Sequence, residues 1–299
     1  MKKLRFGTTP LTFESVFDFI NKEISFDELN SFHLSKVFEN TARAGYEHIE
    51  IPCDMFQVFP LSMDKNEITQ LKRIKQEYNI TFSAHLPYLS IDLAGPNKFV
   101  REGSVNAIVD AYNRLRDLKD EIDVYVVHPS GETVTDIMSF IKFYPNLAPS
   151  VTKIFTEYAK ESISNFIQRT GINKNKLAIE NVNFPFKETI EIINELGVKL
   201  CLDTAHVLAG FSGDIDLLEI SKQHLNITKE IHLQDYKSGY VREHCPLGMG
   251  NNFPPKFLKL LNQEEFEGPV VFELLHDEVI ISCKYIRKFI PELQIPNIH

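Results

Sequence analysis

Short runs of apolar residues, each ended by polar or turn-forming residues, recur along the whole length of the chain. The runs are largely continuous in Val, Ile and Leu, which is typical of parallel strands covered on both faces. Residues with helical spacing occupy the stretches between successive runs. The eight predicted strands span residues 4–9, 48–52, 80–86, 124–129, 176–181, 199–204, 230–235 and 269–274. The chain is therefore predicted to alternate strand and helix from one end to the other.

Glycines support this division of the chain. Gly45, Gly171 and Gly197 each stand between a helical segment and the next strand, where a helix commonly ends in a left-handed turn. No Gly/Ser-rich or Pro-rich linker divides the sequence, so we predict one domain over residues 1–299. Eight strand–helix units leave about 37 residues for each unit of the 299-residue chain. The predicted fold is α/β, a single (β/α)8 TIM barrel, and a doubly wound open sheet is the alternative.

The composition limits which partners and which cellular compartment we expect for the protein. Hydrophobic residues make up 43% of the chain and charged residues 24%, which is typical of a globular protein. With 32 Lys and Arg against 41 Asp and Glu, the net charge is −9, so bulk attraction to nucleic acid or to an anionic membrane is not expected. The four cysteines form no CxxC pair, and neither a signal segment nor a run of about 18 apolar residues is present. We therefore expect a cytoplasmic protein with reduced thiols.

Imidazole and carboxylate side chains gather at the carboxyl ends of the predicted strands. In a barrel these ends face one mouth, where active sites lie. A single histidine at a strand end is usually structural, but five of the ten histidines occupy such positions or the loops that follow them. Mixed imidazole and carboxylate ligands suit Zn²⁺, Mn²⁺ or Co²⁺, so the pattern predicts a divalent-metal centre. The residues are His85, His128, Glu180, Asn181, Asp203, His206, His232, Asp235, His244 and Glu273.

Other site patterns are absent or weak. The chain has no GxGxxG after its first strand and no GxxxxGK[ST], which disfavours nucleotide binding of those types. It has no GxSxG, which disfavours a serine hydrolase. The segment LGMGN at 247–251 is either a phosphate-binding loop or an ordinary turn, and the turn is the simpler interpretation. The metal centre is therefore the main functional prediction.

The ten candidate site residues lie in seven segments: AHLPYLSIDLAG (84–95), VVHPSGE (126–132), AIENVN (178–183), CLDTAHVLAG (201–210), IHLQDYKSG (231–239), REHCPLGMGN (242–251) and VVFELL (270–275). In order and spacing the segments resemble the xylose isomerase-like TIM-barrel superfamily. That superfamily includes endonuclease IV and many sugar isomerases and epimerases. The resemblance implies the same barrel, but it does not by itself distinguish the reactions.

The resemblance also implies ligands for a single cation. Isomerases and epimerases of this fold hold one metal ion with two glutamates, an aspartate and a histidine. All four are present in this chain. The matching positions are Glu180, Asp203, His232 and Glu273.

Endonuclease IV carries two further zinc ions, and its ligand positions are matched in all but one case. Its second zinc, bridged by the first glutamate, is held at positions that match His85 and His128. Its third zinc site matches His206 and His244, but the aspartate position is Arg242 here. A guanidinium at that place would repel a third zinc, and it would suit a substrate phosphate or carboxylate.

Two reaction types fit these residues. In the hydrolytic interpretation, two cations bind a phosphoester and activate a water. This interpretation is preferred, because a one-metal isomerase does not need the pair His85 and His128. In the isomerase or epimerase alternative, one cation polarises a carbonyl and its neighbouring hydroxyl, while Glu180 and Glu273 move the proton of the carbon. A barrel that binds sugar or metal without turnover is a third alternative.

Both enzymatic interpretations share the same site predictions. The predicted cofactor is one to three divalent ions, with two preferred and zinc placed before manganese and cobalt. The substrate is a small sugar or phosphoester, and DNA is not expected, because the net charge is −9 and the segments FGTTPLTF and IPCDMFQVFPLS match no DNA-contacting part of endonuclease IV. The predicted catalytic residues are Glu180 and Glu273, and the predicted substrate contacts are Arg242, His206, His244 and Asn181.

Overall fold

The computed structural model describes residues 4–10, 33–58, 63–239, 244–250 and 253–299. Its strands are β1 (Arg5–Thr8), β2 (His48–Pro52), β3 (Thr81–His85), β4 (Ile122–Val127), β5 (Leu177–Glu180), β6 (Lys199–Asp203), β7 (Thr228–His232), β8 (Asp235–Tyr236), β9 (His244–Cys245) and β10 (Pro269–Phe272). Eight of them pair in parallel and close into a barrel in the order β1-β10-β7-β6-β5-β4-β3-β2. Each of the eight predicted strands overlaps one barrel strand. The predicted (β/α)8 barrel is therefore confirmed.

Helices connect the barrel strands. They are α1 (Leu34–Arg43), α2 (Met55–Val58), α3 (Lys65–Glu77), α4 (Lys98–Arg114), α5 (Glu132–Ile141), α6 (Ala148–Thr170), α7 (Phe186–Leu196), α8 (Thr204–Leu208), α9 (Leu217–His224), α10 (Lys256–Gln263) and α11 (His276–Phe289). Two of them end as the glycine pattern predicts, because Gly171 and Gly197 adopt φ angles of 64° and 68°. Within the described ranges, none of the helices combines the length and the apolar character needed to cross a membrane.

The outer face of the barrel packs large apolar side chains against the helices. Phe82 of β3 contacts Phe38 of α1 with ring centroids 5.6 Å apart, and Tyr125 of β4 contacts Tyr112 of α4 at 5.0 Å. Because successive side chains alternate between the two faces of a strand, the neighbours of these residues point into the barrel. A separate small apolar cluster fills part of that interior. Its members are Val124, Val126, Ala178 and Cys201.

The same alternation aims the polar strand-end residues inward. Glu180 and Asp203 lie two residues beyond Ala178 and Cys201 on their strands, and both carboxyl side chains are buried. On β1 the inner face is occupied by Gly7, where an added Cβ would lie 2.7 Å from the Cβ of its neighbour on β2. Only glycine permits this close approach of the two strands. The barrel interior is thus apolar and tight in part and strongly polar towards the mouth.

Several described elements are not predicted by the sequence pattern. Helix α5 is one of them, and it buries only Val134 and Ile141. The antiparallel ribbon of β8 and β9 has two residues in each strand, and Asp235 pairs with Cys245 in it. Two-residue strands carry no periodicity to detect. The ribbon matters for the site, because it brings His244 towards the mouth of the barrel.

Candidate metal centre

The barrel brings imidazoles and carboxylates from six strands to one end. Because the barrel strands are parallel, their carboxyl ends meet at the same mouth. Asp203 and His232, the last residues of β6 and β7, are direct cross-strand neighbours. The six strand-end residues are His85 at the end of β3, His128 after β4, Glu180 at the end of β5, Asp203, His232, and Glu273 after β10.

Four of these residues surround one point. His232 Nδ1 lies 3.5 Å from Glu180 Oε2, 3.5 Å from Glu273 Oε2 and 4.0 Å from Asp203 Oδ2. One ligand atom from each of the four residues lies within 4.8 Å of all the others. The side chain of Glu273 is 20% exposed, whereas the other three are almost completely buried. The inner side of the group is therefore closed to solvent, and the Glu273 carboxylate is the one that reaches solvent.

The donor set of this group fits a divalent cation. His232 is fully buried and neither of its ring nitrogens makes a hydrogen bond, although Nδ1 is directed at carboxylate oxygens. One imidazole nitrogen with three carboxylate oxygens suits Zn²⁺, Mn²⁺ or Co²⁺. Burial raises the pKa of the Asp203 carboxyl above its ordinary value, and the charge of Glu180 adds to that rise. A cation at this point would remove the cost of keeping these carboxylates charged and close together.

His85 and His128 form a second group around the same glutamate. Their Nε2 atoms lie 3.1 Å and 3.2 Å from Glu180 Oε2. His85 Nδ1 donates to the Leu86 carbonyl at 2.9 Å, so its Nε2 either donates to Glu180 or offers a lone pair to a cation. Burial favours the neutral His85 ring, but the hydrogen bond to Glu180 and the charge of Glu50 together raise its pKa to about 10. Without a cation this pair therefore serves as hydrogen-bond donors to Glu180.

His206 and His244 lie at the rim of the mouth. Their Nε2 atoms are 3.4 Å apart, and His206 Nδ1 donates to the Asn181 carbonyl at 2.8 Å. Burial lowers the pKa of His244 to about 4, although the nearby Glu273 carboxylate opposes this shift. A ligand atom of Asp203 completes a third group of possible metal donors with these two rings. All eight predicted metal ligands thus converge at one end of the barrel.

Asn181, a predicted substrate contact, is used within the barrel wall. The Asn181 side chain donates to the Asp203 carbonyl at 3.0 Å and accepts from the Asp203 amide at 2.7 Å, and the residue is fully buried. It joins the ends of β5 and β6, which is a different role from the substrate contact expected of it. Arg242 lies outside the described residues, so its predicted contact with a substrate anion stays a prediction.

The glycine-containing segment near residue 248 forms a turn. Its Gly248 and Gly250 amides donate to Asp235 Oδ2 at 3.0 Å and 3.1 Å. Asp235, which the sequence analysis places with the strand-end residues, is fully buried and lies in the ribbon rather than in the metal group. These amides therefore bind a carboxylate of the chain itself, which supports the turn interpretation over a phosphate loop.

Gln234 is a site residue that the sequence analysis does not identify. Its Nε2 donates to Asp203 Oδ2 at 2.6 Å and to Glu273 Oε2 at 3.1 Å, so one amide group bridges two of the carboxylates. Its backbone amide donates to the Thr204 hydroxyl at 3.0 Å, which holds this part of the chain in place. The sequence does contain a signal for Gln234: it lies two places after His232 in IHLQD, and alternation of side chains along a strand directs both residues into the barrel.

Comparison with known proteins agrees with this geometry. The family model described as a xylose isomerase-like TIM barrel matches residues 38–291. An L-ribulose 3-epimerase of Methylomonas sp. (strain DH-1) is 24% identical over 253 residues, covering 82% of this chain and 79% of that protein. A D-tagatose 3-epimerase-like protein superposes with a TM-score of 0.66 at 18% identity, covering 97% and 98% of the two chains. Endonuclease IV from Thermus thermophilus gives 0.64 at 18% identity, covering 86% of this chain and 94% of that chain.

Proposed function

Since the chain belongs to the xylose isomerase-like TIM barrel family, we propose that it is a divalent-metal-dependent epimerase of a small ketose. The observation that carries this proposal is the group of Glu180, Asp203, His232 and Glu273, which combines one cation site with two glutamates. The sequence similarity to an L-ribulose 3-epimerase supports the choice of substrate class. The epimerase alternative of the sequence analysis is therefore favoured over its hydrolytic interpretation.

The two glutamates supply the proton chemistry. A cation held by the four side chains would polarise the carbonyl and the neighbouring hydroxyl of the sugar. Glu273 is the partly exposed member of the group, so its carboxylate takes the proton from the carbon beside the carbonyl. Glu180 is buried below it, and the proton that His85 Nε2 donates to Glu180 Oε2 passes on to the other face of that carbon. The partly exposed Glu273 then releases its proton to solvent and the imidazole takes one back, so the number of protons on the protein is restored. Gln234 holds Glu273 in place through its hydrogen bond.

Histidines around the group bind the sugar hydroxyls in this proposal. His128 lines one side of the mouth beside His85, whose two ring nitrogens are engaged by Leu86 and Glu180, and His206 and His244 line the other side. Arg242 is proposed to bind an anionic group of the substrate, because its guanidinium is positively charged. We further propose that the protein acts on a small molecule and not on nucleic acid. We also propose that residues 1–299 form one domain and that the protein is cytoplasmic.

Phosphoester hydrolysis is the second candidate, and one observation favours it. His85, His128 and Glu180 form a second group of possible metal donors beside the first, as a two-cation hydrolase would need. The two candidates differ in the number of bound cations, which makes them separable by experiment.

Replacement of His128 by Asn separates them. For the epimerase we expect an unchanged metal content and a KM raised by about 10-fold, because one hydrogen bond to substrate is lost. The measurement is elemental analysis of protein purified without chelator, together with ketose kinetics. His224→Asn, on α9 away from the mouth, is the matched control. Loss of one of two cations in the His128 variant, with the control unchanged, would contradict the epimerase and support the hydrolase.

A further inference from the structure

A second polar layer lies inside the barrel directly beneath the metal group. Its side chains come from β2, β3 and β7 and make no contact with solvent. Buried charges are costly unless they are paired or hydrogen-bonded, so such a layer in a barrel core requires a reason. Its members are His48, Glu50, Ser83 and Glu230.

The hydrogen bonds of this layer form one chain from Glu230 through Ser83 and His48 to Thr81. The Ser83 hydroxyl donates to Glu230 Oε1 at 2.8 Å, so its oxygen accepts from His48 Nε2, also at 2.8 Å. His48 Nδ1 then accepts from the Thr81 hydroxyl at 2.8 Å. Burial lowers the pKa of His48 to about 3, in agreement with a neutral ring. Glu230 Oε1 is thus already occupied by a donor of its own.

Glu50 and Glu230 each have one hydrogen-bonded and one unpartnered carboxylate oxygen, but Glu50 lies closer to the His232 ring. Glu50 Oε1 accepts from the Thr9 hydroxyl at 2.8 Å, while Oε2 has no hydrogen bond and lies 3.4 Å from His232 Nε2. Glu230 Oε1 is farther from the same nitrogen, at 4.0 Å. The free oxygen of Glu50 is therefore the acceptor best placed to pair with the back of the His232 ring.

We infer that Glu50 is a positioning residue that fixes His232 as a metal ligand, and this inference rests on the cation site of the proposed function. Glu50 Oε2 accepts the Nε2 proton, so the lone pair of the neutral ring stays on Nδ1, which faces Glu180, Asp203 and Glu273. A carboxylate behind a metal-bound imidazole fixes its tautomer and orientation and increases its basicity. The four-residue metal group therefore depends on a fifth residue, in β2, which contacts neither the cation nor the substrate.

The test is the affinity of the protein for Zn²⁺, measured by competition with a chromophoric chelator. We expect Glu50→Gln to weaken Zn²⁺ binding by about 10- to 100-fold, as is typical when the partner of a metal-bound imidazole is removed. Glu230→Gln is the matched control, because it changes an equally buried carboxyl of the same layer that lies farther from His232 Nε2, at 4.0 Å. Its Zn²⁺ affinity is expected to stay close to that of the wild type.

Two results would overturn the inference. One is an unchanged Zn²⁺ affinity in Glu50→Gln; the other is an equal loss in both variants, which would mark a general effect of disturbing the buried layer. A wild-type protein that binds no Zn²⁺, Mn²⁺ or Co²⁺ would instead overturn the proposed function, so the two failures are distinguishable.

A second measurement needs no variant and serves if Glu50→Gln does not fold. Two-bond ¹H–¹⁵N spectra of the Zn²⁺-loaded wild-type protein report which ring nitrogen of His232 carries hydrogen. The inference predicts a protonated Nε2, with the proton protected from exchange, and a metal-bound Nδ1. A proton on Nδ1 would overturn it.

Discussion

Replacement of Glu273 by Gln is expected to lower kcat for ketose epimerisation by about 10²- to 10⁴-fold, because the variant loses the carboxylate that accepts the proton of the substrate carbon. An amide of the same shape can still accept the hydrogen bond from Gln234 and can still face the mouth. The fold is therefore expected to persist, and the loss falls on kcat more than on KM. The measurement is steady-state kinetics at saturating cation.

Glu161→Gln provides the control for this variant. Glu161 is an exposed residue of α6, so the same chemical change is made without touching the mouth of the barrel. Its kcat is expected to match that of the wild type. A Glu273 variant that binds cation normally and keeps most of its kcat would contradict the assignment of Glu273 as the base.

Removal of the cation is expected to abolish turnover and to destabilise the protein as well. Relative to protein with free cation about a thousandfold above its Kd, the free energy of unfolding should fall by about 4 kcal/mol. Glu180 and Asp203 are buried carboxylates of one group, and they lose the charge that compensates them. Because burial raises the pKa of Asp203, protons compete with the cation, and higher cation concentrations are needed as the pH falls.

Denaturant unfolding with and without Zn²⁺ measures this effect. Asp203→Asn removes one ligand and keeps the size of the side chain, so added Zn²⁺ should stabilise this variant much less than the wild type. Equal stabilisation of the two proteins would place the cation elsewhere. Full activity after exhaustive chelation would contradict a metal-dependent reaction altogether.

The strands and most of the site were predictable from the sequence for one physical reason. The strands of a parallel barrel are apolar runs that end at a common mouth. A polar residue at the end of such a run is therefore expected at the mouth, as is found for His85, Glu180, Asp203 and His232. The helix ends at glycine were predictable in the same local way. These features depend on residues close together in the chain, which a linear pattern records.

Other features depend on contacts between strands, which the pattern does not record. Glu50 stands in the middle of the apolar run HIEIP, and only the closed barrel shows that its carboxylate lies behind the His232 ring on β7. Gln234 appears as an ordinary polar residue until the barrel places it between two carboxylates. Asn181 stands at a strand end like the metal ligands, yet its amide is used by the neighbouring strand.

The choice between reactions was not predictable from residue types. Hydrolysis and epimerisation would use the same carboxylates and imidazoles, and they differ in the number of cations and in what the mouth binds. The pair His85 and His128 favours hydrolysis in the sequence, but in the structure both rings also serve as hydrogen-bond donors to Glu180. The similarity to a ketose epimerase then gives the epimerase the stronger support.

Proton transfer at a carbon beside a carbonyl group distinguishes the proposed epimerase from a hydrolase. The most direct measurement incubates the cation-loaded protein with L-ribulose or D-tagatose, the sugars named by its relatives, in D₂O and follows the sugar by NMR. We expect deuterium at carbon 3 together with the appearance of the epimer, and neither with Glu273→Gln. Absence of exchange in these sugars and in a wider set of ketoses, with two cations bound and a phosphoester hydrolysed, would contradict the proposed epimerase.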